Sequence, residues 1–169
     1  MRITDTHVFF FSYADQYSNH YNSPFTVPDE PGRIFHTVEH YMMFVKAVMF
    51  GDASTAEKIL VNPRPMEAKK LGRQVKDYDD VAWASCREKV VTKGLFYKMR
   101  CHPDIRLSAL KLRMEGKRFV EASPYDRIWG IGMAEDNPLI TDPVNWKGQN
   151  LLGKCWDAAI DLTLLGELP

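Results

Sequence analysis

The chain lacks a charge bias. Its 22 Lys and Arg stand against 22 Asp and Glu, so composition gives no strong nucleic-acid signal, although a local basic patch stays open. It lacks any run approaching ~18 consecutive apolar residues, which excludes a membrane-spanning helix and leaves no membrane partner to expect. The opening MRITDTHVFFFSY lacks the apolar stretch and small-residue cleavage site of a signal peptide. Cysteine is scarce: Cys86, Cys101 and Cys155 are odd in number and far apart, so they read as reduced thiols of a cytoplasmic protein and not as a disulfide framework. Neither Gly116-Lys117 nor Gly153-Lys154 is followed by Ser or Thr, which removes a P-loop. Gly130-Ile131-Gly132 lacks the third glycine of a dinucleotide fingerprint, and no G-x-S-x-G elbow occurs. No cofactor is implied. Repeats, low-complexity tracts and linkers are absent, so residues 1–169 read as one domain.

What is present is helical patterning. With 45% hydrophobic residues the chain is long enough to bury a core. The segment TVEHYMMFVKAVMFG, Thr37 to Gly51, is predicted to be a helix capped by Thr37 and closed by Gly51. Val38, Tyr41, Met42, Val45 and Met49 form its apolar stripe. Glu39 and Lys46 are seven residues apart, about 20° short of two turns, so they share a face. They frame a pocket floor or are simply solvated. Further helices are predicted from Asp52 to Val61, from Pro65 to Gly72, from Asp79 to Arg100 (apolar positions Val81, Trp83, Ala84, Val90, Val91, Leu95 and Met99), from Pro103 to Met114, and from Gln149 to Leu165. Short strands are expected at 7–13, at 33–35 and from Phe119 to Ala122. The loop after Tyr13 offers Tyr17, Ser18, Asn19, His20 and Tyr21. SPYDRIWGIG, 123–132, is glycine-punctuated, as where backbone packs close to something. The fold class is therefore α+β and mostly α: a compact helical domain with a few short strands.

His36-Thr37-Val38-Glu39-His40 matches H-x-x-E-H, an inverted zinc-protease signature. Against it, Thr37 is a better cap than an interior residue. His36 then falls outside the helix, the two rings do not converge, and no metal is expected. His102 and Glu67 are the candidates for a third ligand.

The blocks FFFSYADQYSNHYNSPFTV, TVEHYMMFVKA, a helix with Trp83, VEASPYDRIWGIG and GQNLLGK follow one another between about Phe9 and Leu165. In order and spacing they resemble the NADAR family, also called YbiA-like. The resemblance implies N-glycoside hydrolysis of one of two substrates, both a C1′–N bond on a phosphate-bearing ribose. One is the ribosylaminopyrimidine phosphates, early riboflavin intermediates, whose cleavage is metabolite repair. The other is guanine carrying ADP-ribose. Matched motif by motif, Glu39, Lys46, Trp83, Asp126 and Trp129 carry over as site residues. Asn19, Arg127, Gly148 and Asn150 match as further substrate contacts. Where the family suggests an arginine in the last helix, this chain has Ile160 and Asp161, which puts one phosphate contact in doubt.

The residue types suit that chemistry. Breaking C1′–N builds positive charge on the sugar. A carboxylate beside C1′ stabilises it, and a second carboxyl protonates the leaving nitrogen or activates water; Glu39 and Asp126 are the candidates. Trp83 or Trp129 can stack on the base, worth ~1–3 kcal/mol, and Arg127 can meet a phosphate as a planar fork. Lys46 is a candidate amine nucleophile, provided it is partly neutral; otherwise it is an ion-pair partner or phosphate contact. Plainer roles compete: Trp83 as core, Asp126 closing a turn, Arg127 pairing with Glu121. A module that binds ADP-ribose without cleaving it, and more remotely the zinc protease, are the alternatives of a different class.

Overall fold

The computed structural model describes residues 1–169. It contains six α-helices and a three-stranded sheet, so the mostly helical α+β expectation holds. The chain divides into two compact units, Met1–Ser18 with Pro103–Pro169, and Asn19–His102. No helix is long and apolar enough to cross a membrane.

The first unit holds the sheet. Strand β1 (Arg2–Ile3) pairs antiparallel with β2 (His7–Phe10), and β2 pairs parallel with β3 (Arg118–Glu121), with Val8 opposite Phe119 and Phe9 opposite Val120. The two-residue β1 is too short to leave an alternating pattern, and the sequence did not reveal it. β2 stops at Phe10, short of the expected Tyr13, because Asp15 Oδ2 takes the backbone N–H of Phe11 and Ser12 and turns the chain. Helix α5 (Pro103–Met114) packs on α6 (Leu151–Leu165), and α6 packs on β3. Phe10, Tyr17, Phe119 and Trp156 interlock there as edge-on and stacked rings, all fully buried or nearly so. Each such side chain contributes on the order of 1.5–3 kcal/mol by burial. Trp156 Nε1 donates to Tyr17 O at 2.7 Å, so its polar atom is satisfied.

The second unit is helical and built around α1 (Val38–Met49). Helices α2 (Ala53–Leu60), α3 (Pro65–Gly72) and α4 (Asp80–Cys101) all pack against it. Thr37 caps α1 as expected, its hydroxyl accepting from His40 N, and Gly51 follows with φ +70°. The apolar stripe differs from the expected one. Residues 38–44 are buried all round, while Met49 is 43% exposed and Val45 only half-buried. A helix enclosed on every side is a core element, and a single-stripe reading underestimates it. On α4, Val81 is 79% exposed, so the stripe begins at Trp83. The strand expected at 33–35 is a single bridge, Phe25 to Phe35. At Gly72 a Cβ would stand 2.0 Å from Met43 Sδ, so the lack of a side chain lets the end of α3 lie against α1.

Candidate active site

Four of the expected residues lie in the second unit. Glu39 sits in the first turn of α1, where the helix dipole favours a carboxylate. It is only 4% exposed. Its backbone N–H donates to Asn19 O at 3.0 Å, which ties the 19–21 loop to the helix start. His20, next along that loop, places Nε2 3.8 Å from Glu39 Oε2. Asn19 is itself buried, and its side-chain Oδ1 has no hydrogen-bond partner. An orphan buried acceptor is costly in an empty protein and becomes favourable when a ligand donor meets it.

Lys46 is half-buried two turns along α1. Its Nζ donates to Gly72 O at 2.9 Å and lies 4.0 Å from the centre of the Tyr78 ring. Burial lowers its pKa and is the largest influence; the Glu39 and Asp80 carboxylates oppose it, and Arg73 reinforces it. Trp83 is 5% exposed on α4, in the position of a core residue. Its place does not resemble an open stacking platform.

The zinc reading fails on the geometry of His40. The ring is fully buried. Nδ1 receives the His36 N–H at 3.3 Å, which makes Nε2 the protonated nitrogen, donating to Ile59 O at 2.8 Å. Both nitrogens are committed, so neither has a lone pair for a metal. Burial also lowers the His40 pKa, with a smaller push in the same direction from His36, against the bond to Ile59.

The other expected residues lie in the first unit, on one backbone lattice. Asp126 Oδ1 accepts from Ile128 N and Trp129 N, each at 2.8 Å. It therefore does close the turn, with one oxygen, while Oδ2 has no such bond. Arg127 is exposed. Its carbonyl accepts from Gln149 N, and the Trp129 carbonyl from Leu152 N. Those bonds seat the start of α6 on the 126–130 turn. The lattice also explains Gly148: a Cβ there would stand 2.3 Å from Gly130 O, so backbone packing requires the glycine. Asn150 adopts a left-handed φ of 52°. Its Oδ1 accepts from Glu121 N and its Nδ2 donates to Phe119 O, each at 3.0 Å. Asn150 thus straps β3 to α6, and its place in GQN has that physical cause. Ile160 is fully buried, and Asp161 forms a two-point pair with Arg113 of α5, so that segment of α6 is structural.

Two residues of the second unit were missed from the sequence. His20 was one polar side chain among several in a loop, and nothing in its spacing singles it out. Lys98 had a readable signal: it falls seven residues after Val91 and three after Leu95, on the buried stripe of α4. It is fully buried, 5.4 Å from the Tyr21 ring centre, and burial pushes its amine down to about 7. An open depression of about 460 Å³ lined by Lys58, Glu67, Lys70 and Gln74 includes none of the expected residues.

The family model of the NADAR domain matches 9–159. The N-glycosidase R617 of Acanthamoeba polyphaga mimivirus is 36% identical over 118 residues, covering 70% of this chain and 68% of the relative. The N-glycosidase YbiA of Shigella boydii is 31% identical over 149 residues, 88% of this chain and 83% of the relative. The Caenorhabditis elegans protein irg-1 is 33% identical over 167 residues, 91% and 78%. An NMR structure of the E. coli protein YbiA superposes with a TM-score of 0.76 at 27% identity, covering 98% of this chain and 89% of that one.

Proposed function

This chain belongs to the NADAR family and is an N-glycosyl hydrolase, and we propose that it hydrolyses the C1′–N bond of phosphorylated ribosylamines. The first substrate class in this reading is ribosylaminopyrimidine phosphate, cleaved to base and ribose 5-phosphate. The balanced net charge supports a small-molecule substrate over a nucleic acid. The second reading, removal of ADP-ribose from guanine, involves the same bond and has the same partners in the protein.

The observation that carries the reading is the buried Glu39. A carboxylate only 4% exposed, in the first turn of a core helix, is costly for folding and suits a positive charge that develops only during reaction. In this mechanism Glu39 faces C1′ as the bond lengthens, and Asn19 Oδ1 accepts from a sugar hydroxyl. Lys46 supplies an amine whose burial favours the neutral form a nucleophile requires. It adds to C1′ and displaces the base, and water then frees the sugar from the resulting imine. In the first unit, Asp126, Arg127 and Trp129 offer a carboxylate oxygen, a guanidinium and an indole on a single turn, a set suited to a ribose, a phosphate and a base.

The test is direct. Purified protein is incubated separately with ribosylaminopyrimidine phosphate and with ADP-ribosylated guanine. Release of ribose 5-phosphate from the first is expected. Release of ADP-ribose alone moves the assignment to the second substrate. Tight binding of both with release from neither replaces hydrolysis by binding.

A further inference from the structure

The geometry points to His20 as the acid that protonates the leaving nitrogen when the C1′–N bond breaks, an assignment that rests on the N-glycosidase reading above. An anomeric carbon held by the Glu39 carboxylate packs about 3–3.5 Å from it, the separation of a reacting pair. The departing nitrogen is one bond further on. His20 Nε2 is 3.8 Å from Glu39 Oε2, so a nitrogen attached to that carbon can come within hydrogen-bond distance of Nε2, about 2.7–3.2 Å.

The ring is also held while staying open on one side. It is about a quarter exposed, whereas the carboxylate it faces is buried. The loop carrying it is fixed on both flanks: Asn19 O accepts from Glu39 N at 3.0 Å, and Ser23 N donates to His36 O at 2.9 Å. Solvent access lets the spent imidazole regain a proton between turnovers, and imidazole is the side chain best suited to trade protons near neutral pH.

The neighbouring groups are less suited. His40, adjacent to Glu39 in sequence, has both nitrogens committed to backbone. Glu39 must stay ionised to stabilise the sugar cation.

The step balances. The electron pair of C1′–N stays on the nitrogen, and the Nε2 proton of the His20 imidazolium goes to it. C1′ forms its new bond to the Lys46 amine or to water, and the proton that nucleophile sheds passes to solvent water, from which the spent imidazole is reprotonated.

The test separates proton donation from mere support of Glu39. Two substrates are compared, ribosylaminopyrimidine phosphate, whose amine leaves only if protonated, and 4-nitrophenyl riboside 5-phosphate, whose nitrophenolate leaves without a proton. His20→Gln is expected to lower kcat on the first by 10²-fold or more, the range of general acid catalysis, and to change kcat on the second by less than about threefold. Added imidazole is expected to restore part of the loss in His20→Ala on the amine substrate. Melting temperatures confirm folding, and His20→Asn replaces any variant that fails. Equal loss on both substrates, or no loss on the amine substrate, overturns the assignment. If wild type ignores the nitrophenyl compound, imidazole rescue decides alone, and its absence overturns the assignment. If wild type releases sugar from neither compound, the ribosylaminopyrimidine phosphate reading falls and takes the assignment with it.

Discussion

Replacing Glu39 by Gln removes one charge and almost no volume. The backbone bond from residue 39 to Asn19 O at 3.0 Å survives, because it uses the main-chain N–H. Folding loses the interaction of a carboxylate with the α1 N-terminus, ~0.3–1 kcal/mol. It is relieved of a buried charge in return, which acts in the opposite direction. The net shift in Tm should therefore stay within about 4 °C for a chain of this size. Activity has no such offset. Losing a preorganised group that meets charge only in the transition state costs about 10²–10³ in kcat, or ~2.7–4 kcal/mol. Glu39→Asp adds a distance test: the carboxylate survives but retreats by about one bond, and a displacement near 1 Å can cost 10²-fold. The assay is release of ribose 5-phosphate under single-turnover conditions, with thermal melts in parallel. Glu39→Gln retaining activity within about threefold of wild type would refute the reasoning. So would a loss of activity that merely follows a large fall in Tm.

Three further outcomes are expected. Borohydride added during turnover should trap a sugar on Lys46, detectable by mass spectrometry; no adduct, with Lys46→Arg keeping full rate, reduces Lys46 to a charge bonded to Gly72. Trp129→Phe should retain more ligand binding than Trp129→Ala at similar Tm, whereas parallel loss of stability and binding in both variants makes Trp129 a packing residue. Folding stability should fall as the pH drops below about 6.5, the ordinary histidine value. Burial lowers the folded-state pKa of His40 and of His7, so the unfolded chain takes up protons first. Urea midpoints from pH 7.5 to 5 should show this slope, reduced but not abolished in His40→Asn; an unchanged slope removes His40 as its source.

How legible the protein was depended on the range of the interaction. Helix ends were readable because their causes are local: Thr37 caps with its own hydroxyl, and Asp52 does the same from Thr55 N. Which faces were buried was less readable. The early turns of α1 are enclosed by three other helices, and no periodicity within twelve residues carries that information. The candidate site divides along the same line. Glu39 and Lys46 could be placed on one face from their spacing alone, and the structure adds burial to both. Asn150 and Gly148 match the family motif as Glu39 does, though with a less certain role, and their side chain and missing side chain answer to the backbone of β3 and of the 126–130 turn. A motif records a constraint without recording its kind. The kind shows in where polar atoms end: those of Asn150 on the main chain, the carboxylate of Glu39 beside an imidazole, and Asn19 Oδ1 on nothing the chain provides. A buried acceptor without a donor in the chain is a place where a water or a ligand can supply one. That makes the loop at 19–20 the part of the second unit where the substrate's own hydrogen bonds should be sought.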